Sequence, residues 1–138
     1  MCEVFAFNSI IMEAKELRKG NYFTDKTESI FKLKRIEFEE YDSDDDFTLV
    51  YGISINGEYL WHEEAEPIPL TEEWLLKFGF YRGFGGEPKV EINKNISLSY
   101  NEGEIFIGDD IVLNHIKYIH QLQNLYFTLT GKELTFSL

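Results

Sequence analysis

Ile30-Phe31-Lys32-Leu33-Lys34-Arg35-Ile36-Glu37-Phe38 is the stretch on which the fold turns. Phe31 and Leu33 alternate with charged residues, which is the period-two pattern of a strand with one buried face. Ile36 and Phe38 alternate as well, but on the opposite parity. A strand that changes parity between Leu33 and Ile36 needs a bulge or a bend to keep its apolar side chains on one face. Working outward, Gly20-Asn21 forms a turn into the aromatic pair Tyr22-Phe23. Downstream, Asp42-Ser43-Asp44-Asp45-Asp46 reads as a loop and Phe47 to Ile55 as a strand. Asn56-Gly57 is a strong two-residue hairpin signal, and Glu58-Tyr59-Leu60-Trp61 returns from it. The first half therefore predicts a curved antiparallel sheet, for which an SH3-like barrel is one available form.

The second half mixes helix with strand. Pro67 and Pro69 hold their predecessors extended. Thr71 then caps a short helix near 72–78, with Glu72 and Glu73 at its positive end and Gly79 as its stop. Phe80 to Phe106 reads as a meander. Tyr81 to Pro88 is a connection within it, Val90 and Ile92 alternate on one strand, and Ile96, Leu98 and Tyr100 alternate on the next. Asn101-Glu102-Gly103 turns into Glu104-Ile105-Phe106-Ile107. Ile116, Ile119, Leu122, Leu125, Tyr126 and Leu129 recur at helical spacing, which predicts a long amphipathic helix near 115–130, capped by Asn114 and closed by Gly131. Leu134 and Phe136 suggest a short final strand. The expectation is an α+β chain forming a single domain over residues 1–138, with 1–11 as an N-terminal extension.

Composition bounds the function. The 138 residues carry a net charge of −12. General nucleic-acid binding requires Lys and Arg to displace counterions from phosphates, and this balance opposes it. Aromatic residues make up 16%, including 12 Phe and 8 Tyr, enough both to build a sheet core and to offer rings to a ligand. Cys2 is the one cysteine, so no internal disulfide forms, in keeping with a reducing compartment. No apolar run is long enough to span a bilayer. The start lacks the basic segment of a signal peptide. The chain reads as cytoplasmic, with no membrane partner.

Signatures of catalysis and metal binding are absent. His115 and His120 stand about 140° apart around a helix axis and do not converge on one ion. His62 has no second histidine to complete a metalloprotease pattern. The aspartate run lacks the central glycine and closing glutamate of a calcium loop. Gly83, Gly85 and Gly86 precede a strand where a phosphate loop needs a helix. No cofactor, metal or catalytic residue is assigned. Arg82, set between Tyr81 and Gly83, reads first as an exposed salt bridge, with contact to an anion as its alternative role. A ligand-binding edge is expected from Trp61, Tyr81, Arg82, His120 and Gln123.

Three segments carry a resemblance: Glu16-Leu17-Arg18-Lys19-Gly20-Asn21-Tyr22, the run Pro67-Ile68-Pro69-Leu70-Thr71-Glu72-Glu73-Trp74-Leu75-Leu76-Lys77-Phe78-Gly79-Phe80, and the run Ile116 to Leu134. Together they resemble a family of short proteins of Bacteroidales phages and prophages, over most of the chain from about Met12. The resemblance implies a bacterial host cytoplasm and brings no catalytic residues. It suggests an accessory protein that acts by binding, in counter-defence, by sequestering a nucleotide signal or inhibiting a host protein. A homo-oligomer would suit sequestration. A structural or replication accessory role is the alternative, and a nucleotide-degrading enzyme a further one.

Overall fold

In the computed structural model, residues 17–25, 27–40, 46–54, 59–61, 65–108 and 110–136 are described. The chain divides into two compact units, Met1–Ile68 and Pro69–Leu138. The fold is α+β, and both of its sheets are antiparallel.

In the first unit, strands β1 (Tyr22–Thr24), β2 (Ile30–Glu40), β3 (Asp46–Ser54) and β4 (Tyr59–Trp61) pair in sequence order. The register of β2 against β3 shifts between Leu33 and Arg35, so the expected bulge lies where the parity changes. Leu33 is thereby kept in a core with Leu17, Phe23, Phe31 and Ala65. Phe23 and Phe31 face each other across β1 and β2 and stack at 6.0 Å. Gly20 N–H donates to the Leu33 carbonyl and Leu33 N–H to the Asn21 carbonyl, which fixes the Gly20-Asn21 turn against β2. After β4 the chain returns to β1, where Thr24 and Glu66 exchange both backbone hydrogen bonds. That isolated bridge does not close the sheet, and the barrel expected as one form of this half is corrected to an open four-stranded sheet. A single bridging residue cannot supply the continuous pairing that closure requires. Asn56-Gly57 and most of the aspartate run lie outside the described residues, although the strands flanking each turn pair antiparallel.

The second unit opens with helix α1 (Glu72–Lys77). Trp74 N–H donates to Thr71 Oγ1 at 3.2 Å, so the expected cap is present. Strands β5 (Tyr81–Arg82), β6 (Pro88–Glu91), β7 (Ser97–Asn101), β8 (Glu104–Ile107) and β9 (Ile111–Leu113) follow as an open five-stranded meander in sequence order. Tyr81 to Pro88, expected as a connection, is a hairpin whose strands pair Tyr81 with Lys89 and Arg82 with Pro88. The β7–β8 turn holds Glu102 at φ 50° and Gly103 at φ 85°, the doubly left-handed geometry of a tight hairpin. Strand β9 was not expected from the sequence pattern.

Helix α2 spans Ile119–Thr130 and so begins later than residues 114–115. Ile111–Leu113 is committed to the sheet, and Tyr118 is held extended by its bridge to Pro69. The cap is not Asn114. The side chain of Gln121 accepts from Lys117 N–H at 2.7 Å and from Tyr118 N–H at 3.1 Å. Burial also departs from the expected stripe. Ile119, His120, Leu122 and Gln123 are buried, whereas Leu129 is exposed. The final strand is corrected too: residues 132–136 are irregular. Gln123 Nε2 donates to the Leu134 carbonyl at 3.1 Å, so a side chain takes the place of a ladder bond there. Phe136 packs edge-on against Trp74 at 5.0 Å.

Candidate functional site

The meander of the second unit has two unlike faces. Leu98 and Ile105 are fully buried on one of them. Their neighbours Ser97, Ser99, Asn101 and Phe106 point the other way, because successive side chains on a strand alternate. On that outer face Lys89 stands opposite Ser99, and Ser99 opposite Phe106. The central strand β7 therefore contributes only short side chains, while the strands beside it contribute long ones. The result is an open trough of about 280 Å³, lined by Glu87, Lys89, Ser97, Ser99, Asn101 and Phe106, with Gly108 leaving a low point in one wall.

The polar lining is half-buried to exposed, and its side chains are not engaged with one another. Among the described residues, the side chains of Glu87, Lys89, Ser97, Ser99 and Asn101 take part in no hydrogen bond or ion pair. A cation on β6 and a carboxylate just before it thus line one depression without pairing with each other. Gly83 and Gly85 make room for the Glu87 carboxylate. A methyl group at Gly85 would stand 2.5 Å from Glu87 Oε2, and one at Gly83 3.2 Å from Oε1.

The residues expected at a ligand edge are dispersed. Tyr81 lies in the same cross-strand row as Lys89, Ser99 and Phe106, at the margin of the trough face. It is 46% exposed, and its hydroxyl donates to Glu91 at 3.2 Å. Arg82 alternates to the other face. Its guanidinium is engaged by the Glu72 carboxylate of α1 and donates to the Gly86 carbonyl at 2.8 Å. The exposed salt bridge expected of Arg82 describes what it does here. That clamp, with Gly83 N–H donating to the Glu87 carbonyl and Gly86 N–H to the Gly83 carbonyl, shapes the hairpin tip. Phe84 projects from the tip and is entirely exposed, at 112%.

His120 and Gln123 are interior residues of α2, at 2% and 0% exposure, and not a ligand edge. The His120 ring stacks on Tyr118 at 6.1 Å, and burial pushes its pKa down to about 4. Trp61 stands on β4 of the first unit, opposite Tyr51. His115 is exposed, and His62 and Cys2 lie outside the described residues. Among the described residues no three His, Cys, Asp or Glu side chains gather as a metal site, and no helix is long and apolar enough to cross a membrane.

The trough residues leave a signal in the sequence. The alternation of Ile96, Leu98 and Tyr100 implies its complement, Ser97, Ser99 and Asn101, a run of small polar residues on a strand face. Short side chains between longer flanks make a depression, and the run of short ones is visible in the amino-acid order itself.

No protein-family model, curated protein or solved structure matches this chain. The case for its function therefore rests on its own geometry.

Proposed function

We propose that this is a binding protein that holds a small polar ligand in the trough of the second unit and does no chemistry on it. The observation that carries this reading is the set of unengaged polar side chains around one depression: Lys89, Glu87, Ser97, Ser99 and Asn101, with the Phe106 ring beside them. Solvated polar groups that converge on a concavity, with a flat apolar surface next to them, are what a small polar ligand requires. The phage resemblance supplies the biological setting. An accessory protein that sequesters a nucleotide signal in a bacterial cytoplasm needs affinity and no catalytic group. Thermal-shift measurement against a panel of nucleotides tests the reading, since a ligand bound only by the native state raises the melting temperature. The expected result is a shift with the nucleotide recovered intact. Hydrolysis of the ligand would overturn the non-catalytic role. Lys89→Ala is the informative variant, because the guanidinium of Arg82 is already committed to Glu72 and Gly86.

A second reading, inhibition of a host protein, is favoured by Phe84. A loop tied by its own hydrogen bonds and presenting one bare ring suits insertion into an apolar pocket of a partner, because little order is lost on docking. Phe84→Asp should abolish such an association and leave the nucleotide shift intact. If the association survived the charge at position 84, the hairpin tip would have no part in it.

A further inference from the structure

We infer, resting on the reading of the trough as a small-ligand site, that its ligand is a ribonucleoside 5′-phosphate, with the phosphate at Lys89, the ribose diol at Glu87 and the base against Phe106. The placement follows from sheet geometry. Glu87 immediately precedes β6, and its carboxylate and the Lys89 stem reach the same side of the hairpin: a methyl group at Gly83 would stand 3.2 Å from Glu87 Oε1 and 3.5 Å from Lys89 Cδ. Lys89 and Phe106 lie two strands apart in one cross-strand row with Ser99 between them, a span of about 9.6 Å. The trough thus offers three unlike functions at the corners of a triangle whose floor is Ser97 and Ser99. A 5′-nucleotide carries three matching groups around one sugar ring.

Each corner matches by chemistry. The Lys89 ammonium is a compact charge with three donors on a flexible stem, which suits a phosphate free to rotate. An ionised carboxylate only accepts, so the partner of Glu87 must donate. A vicinal diol presents two donors, and carboxylates are used for this purpose in nucleotide folds of other architecture. Phe106 offers a ring face, on which any base stacks without hydrogen-bond readout. The Ser97 and Ser99 hydroxyls both donate and accept, so they serve the sugar and the phosphate alike. The volume of about 280 Å³ lies just below the usual range for small-molecule sites, which suits a ligand of mononucleotide size.

Isothermal titration at low salt, with adenosine 5′-monophosphate, its 2′-deoxy counterpart, adenosine and inorganic phosphate as probes, tests the assignment. The ribonucleotide should bind, with the 2′-deoxy form about tenfold weaker, as expected for loss of a hydrogen bond to a charged group. Adenosine and inorganic phosphate should each bind at least about tenfold more weakly than the ribonucleotide. Glu87→Ala should bring ribo- and deoxyribonucleotide to the same affinity, and Lys89→Ala should reduce the ribonucleotide to the level of adenosine. Both variants should melt with the parent in the absence of ligand, since neither side chain is engaged in the fold. Equal affinity for the two sugars, or sugar discrimination that survives Glu87→Ala, would overturn the inference. If another small molecule then bound in a Lys89-dependent way, the broader binding reading would stand. Absence of any Lys89-dependent small-molecule binding would overturn both.

Discussion

His120 ties stability to pH through one side chain. Its ring is buried beside Tyr118 at the start of α2, and desolvation lowers its pKa from 6.5 to about 4. In the unfolded chain the imidazole takes up a proton near pH 6.5, whereas in the folded chain it stays neutral until near pH 4. As pH falls through that window the unfolded state binds the extra proton, so stability is intact above pH 6.5 and declines toward pH 4. The loss between pH 7 and pH 5 should be about 2 kcal/mol from this group. Urea unfolding at the two pH values measures it. In His120→Phe, which keeps a ring beside Tyr118 and cannot titrate, the difference between pH 7 and pH 5 should shrink by about that amount. An unchanged difference would place the acid sensitivity elsewhere. Gly103 gives a second residue-scale expectation. At φ 85° a β-carbon is strained, and nothing within 4 Å would crowd it, so backbone strain alone sets the effect. Gly103→Ala should lower stability by about 1 kcal/mol, and no loss in chemical denaturation would mean that the turn relaxes.

At the scale of elements, local chemistry was legible where one residue type decides the geometry. The parity change from Leu33 to Ile36 announced a bulge, Thr71 announced a cap, and both are present. The sequence failed where distant pairing competes with local signals. Helical spacing from Ile116 to Leu129 suggested one long helix, yet Tyr118 is drawn into a bridge with Pro69, and the helix starts only at Ile119. Pairing with β8 likewise makes a strand of Ile111–Leu113, a segment whose own pattern is too short to show a period. The same limit applied to the site. Tyr81 was legible as an exposed ring, but the row Lys89, Ser99, Phe106 exists only once three strands are in register. The salt bridge of Arg82 was legible from its type, but its partner was not, because Glu72, ten residues earlier, gives no hint in sequence of lying beside it. The start of α2 now carries a prediction of its own. Gln121 accepts from two backbone N–H groups that have no intrahelical partner. Gln121→Ala should cost about 1 kcal/mol, read by denaturant unfolding, and should shorten the helix from its N-terminal end. A variant as stable as the parent would show that water replaces the side chain at no cost.

Across the whole molecule, charge is the dominant unbalanced quantity, and it is unevenly shared. The first unit holds 16 acidic and 7 basic side chains, and the second holds 9 acidic and 6 basic. Like charges confined to one folded chain repel, and that repulsion opposes the compact state. Added salt shortens its reach from about 30 Å at 0.01 M to about 8 Å at physiological ionic strength. Sodium chloride should therefore raise the melting temperature, with most of the gain complete by about 0.15 M, where the screening length is already shorter than the molecule. Ligand binding at the trough should respond in the opposite sense, because the attraction between Lys89 and a phosphate is screened by the same ions. The two trends separate cleanly in one titration series: melting temperature of the free protein rises with salt while nucleotide affinity falls. Should affinity rise with salt instead, repulsion from the acidic chain would outweigh Lys89 as the electrostatic influence on the ligand, and the cation would not be the phosphate's anchor.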